Sequence, residues 1–230
     1  MKNILIRVGG GLAVLVCVTA ATTNSNLLKN GNFAQGLEGW RYKYDLPGEG
    51  WYTNNHNLVS VAAEAEGKPK VLKLHGTFYE LASAVAMGIK VDSDPVPIKP
   101  PEKARLTAVV KTTGPNCRIL VYGYKWKPGI KPHPAPALAE LRRCYDSTLL
   151  YFTKPTNASA LGGSFGGAKR DWAEASVTVP DNKIIATKGK VSTLGQTMWN
   201  SVEFLSVHIV ALGGKEGDLM VKEVRLEKSN

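Results

Sequence analysis

From Leu58 to the end of the chain, apolar residues recur every second position or in short unbroken runs, and almost nowhere with the spacing of a helix. Such patterning places side chains alternately on two faces and folds as strands. The runs are Leu58 to Ala65, Val71 to His75, Leu81 to Val91, Leu106 to Lys111, Arg118 to Tyr124, Thr148 to Phe152, Ala173 to Val179, Phe204 to Leu212 and Leu219 to Leu226, each bounded by turn-forming residues. Nine strands in one stretch call for two packed sheets or a closed barrel.

Within Arg118 to Tyr124 the alternation sets Ile119, Val121 and Gly123 against Leu120, Tyr122 and Tyr124. Apolar residues on both sides mark an interior strand whose tyrosines reach a rim. Within Val221 to Leu226 it sets Val221, Glu223 and Arg225 against Lys222, Val224 and Leu226, a sidedness that a shift of one residue would reverse. Asp94 to Pro101 and Lys127 to Pro136 are proline-rich, and Asn157 to Lys169 is rich in Gly, Ser and Ala. Proline cannot donate to a ladder, so these are loops or edges. Pro136 to Arg143 is the one short helix candidate. Strand-like segments continue on either side of every loop, so a single domain is expected.

Lys2 and Arg7 precede a run of apolar or small residues from Val8 to Ala20, with Val18 and Ala20 suited to a cleavage point. Residues 1–20 therefore read as an export signal and 21–230 as the mature domain. A membrane span takes roughly 20 apolar residues, so none is expected, and the protein is assigned to the secreted fraction, the periplasm or the cell envelope. Loss of the signal removes two cations and lowers the formal charge from +10 to +8. Outside a cytoplasm that charge meets acidic polysaccharide, lipid headgroups or wall polymer sooner than nucleic acid.

Cys17 leaves with the signal, and the remaining pair, Cys117 and Cys144, predicts one disulfide bond in an oxidising compartment. Closing that loop would stabilise the fold by roughly 3–4 kcal/mol. The alternative is two buried free thiols, because Cys117 opens an apolar strand. The histidines and cysteines lack the spacing of a closed metal site.

Asn26-Leu27-Leu28-Lys29-Asn30-Gly31-Asn32-Phe33, followed by Gly36-Leu37-Glu38-Gly39-Trp40, resembles the opening of bacterial carbohydrate-binding modules of the galactose-binding-like jelly-roll superfamily, CenC-like type. Leu219 to Leu226 resembles the closing strand of that family, and Trp172 to Pro180 its strand ending in proline. The resemblance implies an all-β, two-sheet antiparallel jelly-roll sandwich. Phe33, Trp40 and Trp172 read as core, because burying rings of that size stabilises by a few kcal/mol. The family often holds a structural calcium beside the opening loop, liganded by the first closing acid, and that position is Lys222 here. An ammonium repels an ion that wants oxygen ligands. Either calcium is absent and Lys222 neutralises the loop, or the register moves on by one and Glu223 is the ligand; the first is favoured, and no cofactor is expected.

A sugar reader needs ring surfaces for the apolar faces of its ligand and polar groups for the hydroxyls. Two loop regions supply both. Arg41, Trp51 and Tyr52 lie in the long connection after Trp40, and Tyr124, Lys125 and Trp126 lie where an interior strand enters a proline-rich loop. Trp51 and Trp126 are the expected platforms, with Arg41, Lys125 and Lys127 as charge partners for an acidic glycan. The structural alternative has Trp51 and Tyr52 covering a sheet edge and Trp126 stapling its loop to the body; Trp199 is either a further platform or a lid on the core. The expected role is thus a secreted, non-catalytic glycan-binding module. A structural or protein-interaction subunit of an extracellular assembly is the alternative.

Catalysis is not expected. Hydrolysis of glycosides generally uses two opposed carboxylates, and neither Asp45 with Glu49 nor Asp171 with Glu174 sits in a setting that would shift a pKa. No Gly-x-Ser-x-Gly or His-Glu-x-x-His segment occurs. Nucleic acid is excluded as a partner by export and by the lack of a recognition pattern.

Overall fold

Asn26 ties the two ends of the fold together. In the computed structural model, its side-chain amide donates to the Val224 carbonyl at 2.9 Å and accepts from the Leu226 N–H at 2.9 Å. Leu27 N–H donates to the Leu226 carbonyl at 2.8 Å, and Val224 N–H to that of Gly31 at 2.8 Å. The structure describes residues 26–42, 58–77, 81, 88–151, 170–180 and 198–229, with backbone alone for 146–151 and 170.

The opening motif folds on itself. Asn30 takes a positive φ of 51°, which asparagine tolerates. Its amide donates to the carbonyls of Gly36 and Glu38 and accepts from Gln35 N–H. Trp40 Nε1 donates to the Lys29 and Asn30 carbonyls at 3.1 and 3.2 Å, and its ring packs against Phe33 at 5.2 Å. Both rings are buried, as expected. Gly31 is required by close approach: a Cβ there would lie 2.2 Å from the Val224 carbonyl oxygen.

The described residues form eleven strands: β1 (Trp40–Tyr42), β2 (Val59–Ala63), β3 (Lys70–Gly76), β4 (Ile89–Ser93), β5 (Val96–Pro97), β6 (Lys103–Thr112), β7 (Pro115–Trp126), β8 (Leu141–Tyr151), β9 (Arg170–Val179), β10 (Phe204–Gly214) and β11 (Gly217–Ser229). They form two antiparallel sheets. The front sheet runs β1-β4-β10-β7-β8, with β5 paired to β10, and the back sheet runs β2-β3-β11-β6-β9. The fold is an open jelly-roll sandwich, all-β and not closed into a barrel. Its core lies between the sheets, where Ile119, Val121, Leu205, Val207 and Ile209 of the front meet Leu72, Leu74, Leu106, Leu219 and Leu226 of the back, all fully buried. Burial on this scale is the main driving force for folding. Among the described residues no helix is long and apolar enough to cross a membrane.

Several expectations need correction. Cys117 and Cys144 are free thiols. Strand β7 places Cys117 beside Ala211, whereas Cys144 lies between residues paired with Gly123 and Tyr124. Six residues of strand separate the two levels, about 20 Å at 3.3 Å per residue, far beyond the reach of a disulfide. Cys117 is instead a core residue, its thiol pushed above its ordinary pKa by burial. Cys144 donates to the Ser201 carbonyl at 3.8 Å.

The alternation in the last strand is also broken. A register shift falls between Val221 and Glu223, so Val221, Val224 and Leu226 all face the core and Lys222 is exposed at the bulge. One extra residue in a strand flips the faces beyond it. The helix candidate reduces to a 3-10 turn at Leu138–Glu140 that leads directly into β8. Trp172 is not core. It lies half-buried on the outward side of β9, where Nε1 donates to Glu64 at 3.2 Å and Lys111 stands 5.9 Å from its ring. An indole with its N–H on a carboxylate is better placed at a wet surface than inside.

Candidate functional site

The pairing of the front sheet decides which side chains share its outward face. Arg41, Asp92 and His208 lie in one row across β1, β4 and β10. Phe204, Tyr124 and Arg143 lie in another across β10, β7 and β8. Tyr122 and Trp126 stand two residues to either side of Tyr124 and therefore point the same way. The face thus combines rings, hydrogen-bonding groups and cations.

Its centre is a buried polar chain. His208 Nδ1 lies 2.6 Å from Asp92 Oδ1, and its Nε2 is 3.1 Å from the Tyr124 hydroxyl. Tyr122 covers the imidazole edge-on at 4.5 Å, and His208 is only 2% exposed. Burial lowers the His208 pKa; the Asp92 carboxylate opposes that shift, while Lys90 and Arg143 add to it, and the net direction is down. The neutral ring then carries its proton on Nδ1, towards the carboxylate, and accepts at Nε2 from the Tyr124 hydroxyl. That leaves the oxygen of Tyr124 as an acceptor towards solvent. A protonated ring would donate instead, turning the Tyr124 O–H outward as a donor.

Two cations gather around the same ring. The Arg143 guanidinium carbon is 4.8 Å and Lys90 Nζ 5.9 Å from the centroid of Tyr122. Lys90 also stands 3.4 Å from Asp92 Oδ1. Arg143 is exposed and Lys90 and Tyr124 are partly so.

Trp126 closes one end of the face. Its ring meets Phe204 edge-on at 5.5 Å and His133 of its own loop at 5.0 Å. Glu140 fixes that loop, accepting from Ala137 N–H at 2.7 Å and pairing with His133 Nε2 at 3.1 Å. The Ala137 N–H, and then His133, hold the Glu140 carboxyl below its usual range. Beside the loop lies a cleft of about 470 Å³ lined by Lys29, Arg41, Asp94, Pro95, Pro134 and Pro136 among others.

Of the residues singled out from the sequence, Tyr124 and Trp126 share the front face and Arg41 borders it, with Nε 3.7 Å from Asp94 Oδ1 in the cleft. Lys125 does not join them. It points to the opposite side of β7, where its charge acts on Cys144. Trp51, Tyr52, Asp45 and Glu49 lie outside the described residues. Trp199 is buried against Tyr145 at 5.2 Å, a core residue. Sequence reasoning missed Lys90, Asp92, Arg143, Phe204 and His208. The alternation of Phe204, Ser206, His208 and Val210 would have set His208 on an outward face, but only strand order brings it to Tyr124 and Asp92.

The corner where calcium would sit does not fit a cation. A pocket of about 310 Å³ there is lined by Asn32, Ala34, Pro69, Lys70, Lys222 and Glu223. Two ammonium groups against one carboxylate oppose a hard divalent ion, and Gly31 O is engaged by Val224 N–H. Among the described residues no cluster of three or more His, Cys, Asp or Glu side chains could hold a metal.

No family model and no curated protein matches the sequence. Solved structures do match in shape. A family 16 carbohydrate-binding module-2 aligns at 18% identity over 87% of this chain and 99% of its own, with a TM-score of 0.48. The enzymatically active domain of bacteriophage CBA120 tailspike protein 4 aligns at 7% identity over 89% of this chain and 21% of its own, with a TM-score of 0.50. A cyclase from Fischerella sp. TAU aligns at 14% identity over 88% and 95%, with a TM-score of 0.48. These are likenesses of fold, and they include enzymes. A jelly roll does not dictate function, so function has to come from the residues on the face.

Proposed function

We propose that this chain is a non-catalytic glycan-binding module that acts outside the cytoplasm and takes a poly- or oligosaccharide across the outward face of the front sheet. One observation carries the reading: Tyr124, Trp126, Phe204, Arg143 and Lys90 converge on one face beside a polar-rimmed cleft. Rings and polar groups in such a mixture suit a sugar, which is apolar on its ring faces and hydroxylated at its edges.

A protein-docking patch would expose several hundred Å² of contiguous apolar surface. Among the described residues Ile130 is the single large hydrophobic side chain counted as exposed, which supports the glycan over the assembly partner. The sequence pattern of residues 1–20, cations followed by an apolar run, supports the location. The meeting of the opening and closing segments supports a place among the CenC-like modules, because those two segments carry the resemblance.

The absence of a catalytic role is supported by the carboxylates. Asp92, which the described strands put on this face, is occupied by His208 at 2.6 Å. Asp171 and Glu174 lie on the back sheet, both well exposed.

A glycan array with the intact chain and the Tyr124→Ala and Trp126→Ala variants tests the reading. Binding that falls in both variants, with their folds intact by circular dichroism, agrees with it. Binding unchanged in both removes the face as the site, and the lack of any glycan signal favours the assembly subunit.

A further inference from the structure

The cleft beside the proline loop opens off the front face at Arg41, which stands in the outward row with Asp92 and His208. Its volume of about 470 Å³ falls in the range of small-molecule sites, roughly 300–1000 Å³. Pro95, Pro134 and Pro136 line it with aliphatic rings, and Lys29, Arg41 and Asp94 supply its charges. Lys29 is committed to Glu38 at 2.6 Å. Arg41 and Asp94 are held less closely. Arg41 Nε lies 3.7 Å from Asp94 Oδ1, beyond hydrogen-bond length, and among the described residues neither side chain makes a hydrogen bond. An exposed pair at that separation adds little to stability. The turn is secured by other means: Asp94 N–H donates to the Gly39 carbonyl at 2.8 Å, and Ser93 Oγ to that of Asp94 at 3.0 Å.

The opposite wall is equally well anchored. Pro134 and Pro136 lie between His133 and Ala137, the two points that Glu140 holds, and each proline ring restricts its own backbone. Walls set before binding lower the ordering cost of taking a ligand. A carboxylate entering the cleft is attracted by Arg41 and repelled by Asp94, and an ammonium meets the reverse. Two neighbouring hydroxyls satisfy both partners, one accepting from the guanidinium and the other donating to the carboxylate.

We infer that the cleft is a further subsite of the glycan site, in which Arg41 and Asp94 take two adjacent hydroxyls of one neutral sugar unit whose apolar face packs on the proline wall. The inference rests on the glycan-binding reading and adds to it the place and chemistry of one more contact. Strand β1, which carries Arg41, is three strand spacings from β7, roughly 14 Å at 4.8 Å each. A ligand that touches both Tyr124 and the cleft is therefore an oligosaccharide.

The test is titration calorimetry of the intact protein with three neutral β-1,4-linked hexasaccharides, of glucose, of xylose and of galactose, whose units keep their 2- and 3-hydroxyls free. At least one should bind, and its affinity should fall roughly tenfold in both Asp94→Asn and Arg41→Gln, the worth of one charge-assisted hydrogen bond. The double variant should lose little more than either alone, because the two side chains share one sugar unit. Thermal melts of all three variants should match the wild type, and amide NMR should show ligand shifts at Gly39, Asp94 and Ala135. Binding that is unchanged in both cleft variants and lost in Tyr124→Ala would overturn the inference and leave the glycan-binding reading intact. Binding lost in the cleft variants and kept in Tyr124→Ala would uphold the cleft and remove the face. Binding of none of the hexasaccharides would overturn the inference as well, and the glycan array then decides whether the glycan-binding reading stands.

Discussion

His208 and Asp92 sit side by side on the outward face of the front sheet, 2.6 Å apart, and yet both are almost completely buried. The tyrosines of β7 make this possible. Tyr122 covers the imidazole and Tyr124 takes up its second nitrogen, so the pair is shielded from water. The pair orients the Tyr124 hydroxyl from beneath and acts on a ligand only through it.

The stability of the protein should depend on His208 in mildly acidic solution. Its folded pKa is depressed, so the unfolded chain takes up the proton first, and stability falls as pH drops below the ordinary value of 6.5. The decline should level off once pH passes the folded pKa. Urea melts of the wild type and His208→Asn between about pH 7.5 and 4.5, either side of the histidine range, should show a slope in the first that is missing from the second. Losing the bond to a buried carboxylate should also cost the variant about 1.5–3 kcal/mol at neutral pH.

Gly31→Ala should destabilise by roughly 1–3 kcal/mol, the range for forced overpacking. The new methyl meets the Val224 carbonyl oxygen, which is backbone and cannot rotate away. Thermal melts of this variant beside Gly36→Ala separate a steric cause from a conformational one. Gly36 has open space around it but a φ of +69°, so its variant carries backbone strain alone.

Reducing agent should leave the melting temperature unchanged. Cys117 and Cys144 are free and at different levels of the sheet. Alkylation followed by mass spectrometry should label Cys144 slowly in the native protein, because burial raises its pKa, and Cys117 only after denaturation, because Cys117 is fully buried.

Tyr124→Phe keeps the ring and removes the hydroxyl that His208 orients. Glycan affinity should fall about 3- to 10-fold, the worth of one neutral hydrogen bond. Titration calorimetry measures it, and an unchanged affinity would confine Tyr124 to stacking.

Much of the sandwich was legible because its signals are local. Period-2 alternation identified most of the long strands, although β8 begins at Leu141, inside the helix candidate, and only its end from Thr148 was read; the faces of Ile119, Val121, Tyr122 and Tyr124 are as read. The short edge strands Trp40–Tyr42 and Val96–Pro97 have too few residues to show a period. Lys222 misled because a bulge leaves no mark in the alternation until the partner strand is known. Trp172 misled because its ring is large enough for a core, while Glu64, which holds its N–H, lies 108 residues away in the chain. The disulfide failed for a related reason, since cysteine number says nothing about level along a hairpin. The site was half legible: Tyr124, Trp126 and Arg41 are local aromatic and charge signals. Asp92, Arg143 and His208 join them only through the β4-β10-β7-β8 order.

The most direct measurement is an amide NMR titration of the protein with an acidic polysaccharide, polygalacturonate, and with a neutral oligosaccharide. Saturable shifts concentrated on β4, β7, β8 and β10, with Tyr124, Arg143 and His208 among the largest, are the predicted result. Shifts confined to the back sheet, or none with either sugar, would contradict the account.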